Sequence, residues 1–371
     1  MGMGSRPVAA FFRDIYVFDW ENQTFASDVI FVVPIAISLA VGLAVGHPAA
    51  GMIVAGGAMT VGFGAKQSID SSRLLPMIFA SVGIAFSTFA GMVAGHTNFT
   101  LVAIASLWAF GYGMLTVREG GYGWVGQQCV ITLLVGSAFP FSAKLAVGRA
   151  GLLLAGGMLE VLWTSVALRL VPELKEHLLE LSRYMREEQI ALREAMNHVA
   201  TTVRRRRFAN SPVAYSLRLL VTVGVSTEIY RRLHFASGYW VPMTALLVLK
   251  PGLLDTASRA IARTVGTVAG AWLVTMLVSH FAPSAVALAA FTVLFTWLSY
   301  AMLNVNYATY SVCITGYIVF LLSLAQIPSG EIAQRRAFCT AVGGAIALTV
   351  RLVMIRWRKI GDTKEDVGVS A

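Results

Sequence analysis

Residues 237–271 read SGYWVPMTALLVLKPGLLDTASRAIARTVGTVAGA. Tyr239, Trp240 and Pro242 open an apolar segment that runs to Leu249, where Lys250-Pro251-Gly252 breaks it. Asp255, Arg259 and Arg263 then lead into a second apolar segment. Proline lacks a backbone donor and clashes with the preceding turn, so a Pro-Gly pair ends a helix. Tyr and Trp suit the boundary between membrane and water, and basic residues suit a cytoplasmic turn between two spans. The stretch therefore reads as helix, basic turn, helix in a membrane.

The whole chain agrees with that reading. Of its 371 residues 57% are hydrophobic and only 13% are charged, about half the charge of an ordinary soluble domain. At about 20 residues per span, the apolar segments leave room for roughly twelve short crossings. The net charge of +10 lies in turns and ends, as the positive-inside rule requires, so nucleic acid is not an expected partner. Cys129, Cys313 and Cys339 fall inside apolar segments without metal-like spacing, which reads as small buried hydrophobes with neither disulfide nor metal site.

The basic turn has an earlier counterpart. Lys66, Asp70 and Arg73 in GFGAKQSIDSSRLLP are spaced K-x3-D-x2-R, against K-x4-D-x3-R for Lys250, Asp255 and Arg259. Arg149-Ala150 followed by Gly156-Gly157 likewise parallels Arg336-Ala337 followed by Gly343-Gly344, and Cys129-Val-Ile-Thr parallels Cys313-Ile-Thr. Two six-span halves that start on the same side of the membrane are related by an axis along its normal.

The segment from Tyr239 to Ala271 resembles the signature of the fusaric acid resistance protein-like membrane family, which includes aromatic carboxylic acid exporters and is distantly similar to the aluminium-activated malate transporters of plants. The resemblance implies an organic anion as the transported solute, export as the direction and the bacterial inner membrane as the location. Exporters of this kind usually carry larger cytoplasmic domains than the polar stretch 172–211 supplies, which leaves regulation and partner contacts open.

The expected organisation is all-α: about twelve transmembrane helices as two six-helix repeats with a cytoplasmic connecting helix. Residues 1–28 read as a cytoplasmic or interfacial lead-in with no signal peptide, 29–171 as the first repeat, 172–211 as the linker, 212–357 as the second repeat and 358–371 as a cytoplasmic tail. Both termini then lie inside. In the linker, Leu174, Leu178, Leu181 and Met185 recur at helical spacing. The stripe suits a plain connector or a dimerising coiled coil, so a homodimer or an efflux accessory protein joins lipid and the organic anion among the expected partners. The basic run at 204–207 suits anionic headgroups.

No P-loop, H-E-x-x-H or Cys/His zinc pattern occurs. The chain reads as no enzyme and needs no cofactor; without ATP chemistry, movement is ion-coupled or passive. Gly42/Gly46, Gly91/Gly95 and Gly266/Gly270 read as helix-packing pairs. The expected substrate-binding set is Lys250, Arg259 and Arg263 with Lys66 and Arg73, a cationic inner mouth in which Arg grips a carboxylate with two parallel bonds. Tyr239, Trp240 and Trp272 offer faces to an aromatic ring, although the first two also suit an interfacial belt. Asp70 and Asp255 would cap the helices that follow them. Charges at membrane depth are costly and mark function: Glu160 and Glu228 are the candidates for proton coupling, while Arg218 and Arg351 read as snorkelling or internally paired. A passive anion channel and a non-transporting scaffold are the rival functions.

Overall fold

The computed structural model describes residues 11–116, 118, 120–170 and 212–368, without the side chains of Asn22 and 357–368. The expected connecting helix within 172–211 lies outside them, as do residues 1–10 of the lead-in and 369–371 of the tail. Among the described residues there is no strand, only an isolated bridge between Ile69 and Ser72.

Short helices α1 (Arg13–Tyr16) and α2 (Phe25–Asp28) lead into α3 (Val33–Ala44), α4 (Pro48–Gly62), α5 (Leu74–Ala94), α6 (Asn98–Leu115), α7 (Gly120–Ser137) and α8 (Ala143–Leu170). After the linker come α9 (Pro212–Arg232), α10 (Trp240–Val248), α11 (Leu253–Phe281), α12 (Ala285–Met302), α13 (Tyr307–Ser323) and α14 (Ser329–Gly368). Among the described residues eight segments are long and apolar enough to cross a membrane: Phe25–Ala44, Pro48–Lys66, Leu74–Ala94, Asn98–Leu115, Ala143–Leu170, Leu253–Phe281, Ala285–Met302 and Ser329–Arg356. Their outer surfaces carry exposed Phe99, Leu162, Val286 and Trp272, as a hydrocarbon solvent demands. Trp272 thus faces away from the protein. This is a multi-pass membrane protein.

Local chemistry sets the helix ends. Thr97, Ser284 and Asn306 cap α6, α12 and α13, each accepting from the backbone N–H three residues on. α10 is only nine residues long, because Pro251 cannot continue it. The first span opens at Phe25, not at residue 29; the Asp28 carboxylate within it is buried and paired.

The helices pack in a recurring order. α3 lies on α4, α4 on α8, α5 on both α7 and α8, and α6 on α7. Likewise α9 lies on α10, α10 on α14, α11 on both α13 and α14, and α12 on α13. Contacts of α6 with α9 and of α12 with α3 join the two groups.

Glycines bring the backbones together. A Cβ on Gly156 would run into the carbonyl of Val54, and one on Gly343 into the carbonyl of Val241. Gly91 of α5 and Gly95 just past its end abut the backbone of α7 at Leu133 and Ser137, and Gly266 and Gly270 of α11 abut that of α13 at Ala308 and Val312. Those two pairs are packing glycines, as expected. Of the third, Gly42 meets Gly51 across the α3–α4 contact, whereas Gly46 has φ +75° and makes the turn. Backbone cannot yield as a flexible side chain does, so Gly156→Leu is expected to destabilise by about 3 kcal/mol or more. Gly151→Ala, at a position open to a new Cβ, should unfold within a degree or so of wild type. Thermal unfolding in detergent compares them; equal melting would show that α4 and α8 do not pack this closely.

Candidate functional site

α11 begins just after the Pro251 break, and Arg259 and Arg263 follow one turn apart on one face. The Arg259 guanidinium lies 3.5 Å from the ring centroid of Tyr307 and 3.8 Å from Asp14 Oδ2. Its Nε has no hydrogen-bond partner. Arg263 is 3% exposed, its Nε is also unpartnered, and it makes no ion pair among the described residues. Tyr310, stacked on Tyr307 with centroids 5.9 Å apart, lies within its electrostatic reach.

Arg336 of α14 approaches the same region. It is 1% exposed, its Nε donates to Thr315 Oγ1 at 3.2 Å, and its guanidinium lies 4.1 Å from the ring centroid of Trp240. Nη1 and Nη2 have no hydrogen-bond partner, and Arg263 adds like-charge repulsion. Tyr239, tilted against Trp240 at 4.8 Å, and Tyr307 and Tyr310 lie near enough to Arg336 to interact with its charge. Tyr239 and Trp240 are therefore buried beside a cation and are not an interfacial belt.

The remaining basic residues are differently employed. Lys66, 2% exposed, donates to Asp28 Oδ2 at 2.8 Å, Thr24 Oγ1 at 2.9 Å and the Tyr300 carbonyl at 2.6 Å. Its ammonium has three donors, and all three are used, so it offers nothing to a solute. Arg73 donates to the Ala65 carbonyl at 3.1 Å, and burial lowers its pKa to about 10. Lys250 is half-buried, and the Thr256 hydroxyl bridges its backbone to that of Gly252. Arg218 donates to the Ala214 carbonyl, and Arg351 to the Pro251 carbonyl, tying α14 to the break.

Neither aspartate caps as expected. Asp70 and Ser71 form a tight turn with φ of 47° and 64°, a backbone region that Asp tolerates better than most residues. Ser72 Oγ accepts from Leu75 N in its stead. Asp255 stands in the first turn of α11, where its charge suits the helix dipole, and pairs with Arg13 at 3.6 Å. Asp14 reaches Arg259 because residues 13–19 lie across the ends of α11 and α13: Asp14 N donates to Ser258 Oγ, and Asn306 Nδ2 donates to the carbonyls of Asp14, Ile15 and Val17.

The two acidic candidates separate. Glu228 pairs with Arg232 one turn on and lines a surface pocket with Asn98, Arg231 and His234. Glu160 is 0% exposed, and neither carboxylate oxygen has a hydrogen-bond partner. A Cβ on Gly62 would touch both Glu160 Oε1 and the Tyr300 hydroxyl, and that hydroxyl donates to the Met59 carbonyl at 2.8 Å. Glu160 thus stands where α4 and α8 meet α12. Among the described residues no group of His, Cys, Asp and Glu is arranged to hold a metal.

The basic and aromatic cluster falls in the half of the chain that known proteins resemble. Residues 225–350 match the fusaric acid resistance protein-like family. The matched stretch holds Tyr239, Trp240, Lys250, Arg259, Arg263 and Arg336, and excludes Lys66, Arg73 and Glu160. The chain is also similar to the uncharacterized protein YhfK of Escherichia coli (strain K12), 31% identical over 130 residues, which is 35% of this chain and 18% of that protein. No solved structure matches the chain.

Sequence reasoning missed Arg336 as a site residue. The signal was an arginine inside an apolar span, used only to align the two halves. Its neighbour Arg335 pairs with Glu331 at 2.7 Å, so the two adjacent arginines have opposite roles.

Proposed function

We propose that this chain is a secondary, ion-coupled transporter that exports organic anions such as aromatic carboxylic acids across the bacterial inner membrane. The observation that carries the reading is the pair Arg259 and Arg263 on one face of α11. The outer arginine lies over Tyr307, and the inner one is buried without a carboxylate. An anion entering along this face meets a second guanidinium as it leaves the first, while tyrosine faces line the way for a ring.

The body of the transporter is two six-helix repeats, α3–α8 and α9–α14, with both termini cytoplasmic. The recurring packing order supports the repeats, as does the equivalence of Gly156 on Val54 with Gly343 on Val241. Glu160, at the junction between the repeats, is the proton-coupling group. Lipid and the organic anion are the partners, with dimerisation through the 172–211 linker as a further expectation.

Liposomes loaded with labelled benzoate test the reading. Wild type should release it faster under an imposed pH gradient and lose that response with a protonophore. Arg263→Ala should lower the initial rate about tenfold, the worth of one charge-assisted bond. Protonophore-insensitive currents reversing at the anion potential would make it a channel. No flux of any of several acids would leave a scaffold.

A further inference from the structure

We infer that Arg336, with Arg263 beside it, forms a carboxylate subsite deep in the second half of the bundle. The inference deepens the anion-transport reading and rests on it for the ligand class; it shares Arg263 with the basic inner mouth, and what it adds is the environment of Arg336.

Lys66 provides an internal comparison. It is a buried cation with a structural task, and the fold gives it a carboxylate at 2.8 Å and two further acceptors. Arg336 is as deeply buried and receives one hydroxyl and one indole face. Those two contacts hold Nε and one face of the plane, which fixes the orientation of the guanidinium. Nη1 and Nη2 are left, and both are unpartnered. A second buried arginine, Arg263, which makes no ion pair among the described residues, repels it from nearby. Two uncompensated cations in a membrane interior are among the most expensive arrangements a fold can hold. An arrangement whose only task was stability would have an acidic partner, as Lys66 has.

The vacant valences define the ligand. A carboxylate takes two N–H bonds from one guanidinium in a planar fork, and its single negative charge offsets part of the charge of the two arginines. The neighbours that would meet the rest of such a ligand are Tyr239, Tyr307 and Tyr310, which favour an aromatic ring. Lys would not substitute for Arg336, since an ammonium is a point charge without the fork.

Benzoate binding to the purified full-length chain in detergent, followed by calorimetry and by ligand-induced thermal stabilisation, tests the subsite. Wild type should bind and be stabilised in proportion to occupancy. Arg336→Met should weaken binding more than about tenfold and Arg336→Lys should restore only part of it. Without ligand, Arg336→Met should melt higher than wild type, because replacing an uncompensated buried charge with an apolar chain relieves its desolvation; a purely structural arginine would do the reverse. Unchanged benzoate affinity in Arg336→Met, with wild-type transport intact, would overturn the subsite and leave the transport reading standing. Arg336→Met that melts lower or fails to fold would also overturn it, assigning Arg336 to structure. Wild type that neither binds nor moves benzoate would overturn both.

Discussion

Lys66→Met is expected to destabilise the folded chain by about 3–5 kcal/mol, the usual cost of leaving one member of a buried ion pair alone. Asp28 is 0% exposed and Lys66 is 2% exposed. Removing the ammonium strands the Asp28 carboxylate with only the Thr24 hydroxyl, 2.5 Å away, and frees the Tyr300 carbonyl, which accepts from Lys66 at 2.6 Å. The damage reaches beyond the pair, because those three partners lie just before α2 (Thr24), at its end (Asp28) and on α12 (Tyr300). Lys66→Met/Asp28→Leu removes both charges together and should recover most of the loss, since apolar replacement of a whole buried pair is often neutral or better. Thermal unfolding of the two variants and of wild type in one detergent measures this. A double variant no better than the single one would mean that the polar bonds to Thr24 and Tyr300, and not the ion pair, fasten the first span.

The Lys66 result also marks the limit of pattern reading. Lys66-Asp70-Arg73 and Lys250-Asp255-Arg259 are near-copies in sequence, and both follow an apolar helix. Their surroundings differ because the counter-charges come from far away in the chain: Asp28 to Lys66, and Asp14 to Arg259. No local spacing announces either. The lead-in read as a cytoplasmic preface is where both acids reside, and its polar docking on Asn306 and Ser258 became visible only once the ends of α11 and α13 stood together.

Features fixed by neighbours in sequence were legible. Apolar content and sparse charge gave the membrane class, Lys250-Pro251-Gly252 gave the end of α10, and the spaced glycines gave close helix contacts. Tyr239 and Trp240 suited both a ring-binding site and an interfacial belt, since an aromatic pair before a span fits either; what spoke against the belt was Arg336, about a hundred residues on, seated over the Trp240 ring. Glu160 and Glu228 were indistinguishable as acids in apolar segments, although Arg232 one turn beyond Glu228 was a local hint of pairing. Glu160 has no such neighbour, and what remained hidden was the junction of α4, α8 and α12 around it.

Glu160→Gln is expected to abolish the response of efflux to an imposed pH gradient while leaving benzoate binding within about twofold of wild type, since one hydrogen bond already shifts affinity by more than that. A carboxyl group that is fully enclosed exchanges its proton with water only when the packing around it opens. It stands at the contact between the two helix groups, so a rearrangement that exposes the anion path to one side of the membrane would also change what surrounds Glu160. That link between proton exchange and movement is what coupling requires. A gradient of one pH unit supplies about 1.4 kcal/mol per proton, enough for about tenfold accumulation of a solute exchanged for it. Glutamine keeps the shape but cannot release a proton, so the accumulation ratio should fall to one. The amide brings its own unpaired groups at a cost of about 1–3 kcal/mol, small enough that the variant should still fold and bind. Retained tenfold accumulation in Glu160→Gln would dismiss Glu160 as the coupling group. Loss of accumulation together with loss of benzoate binding would instead point to a structural defect, because Glu160 touches none of the arginines that would hold the anion.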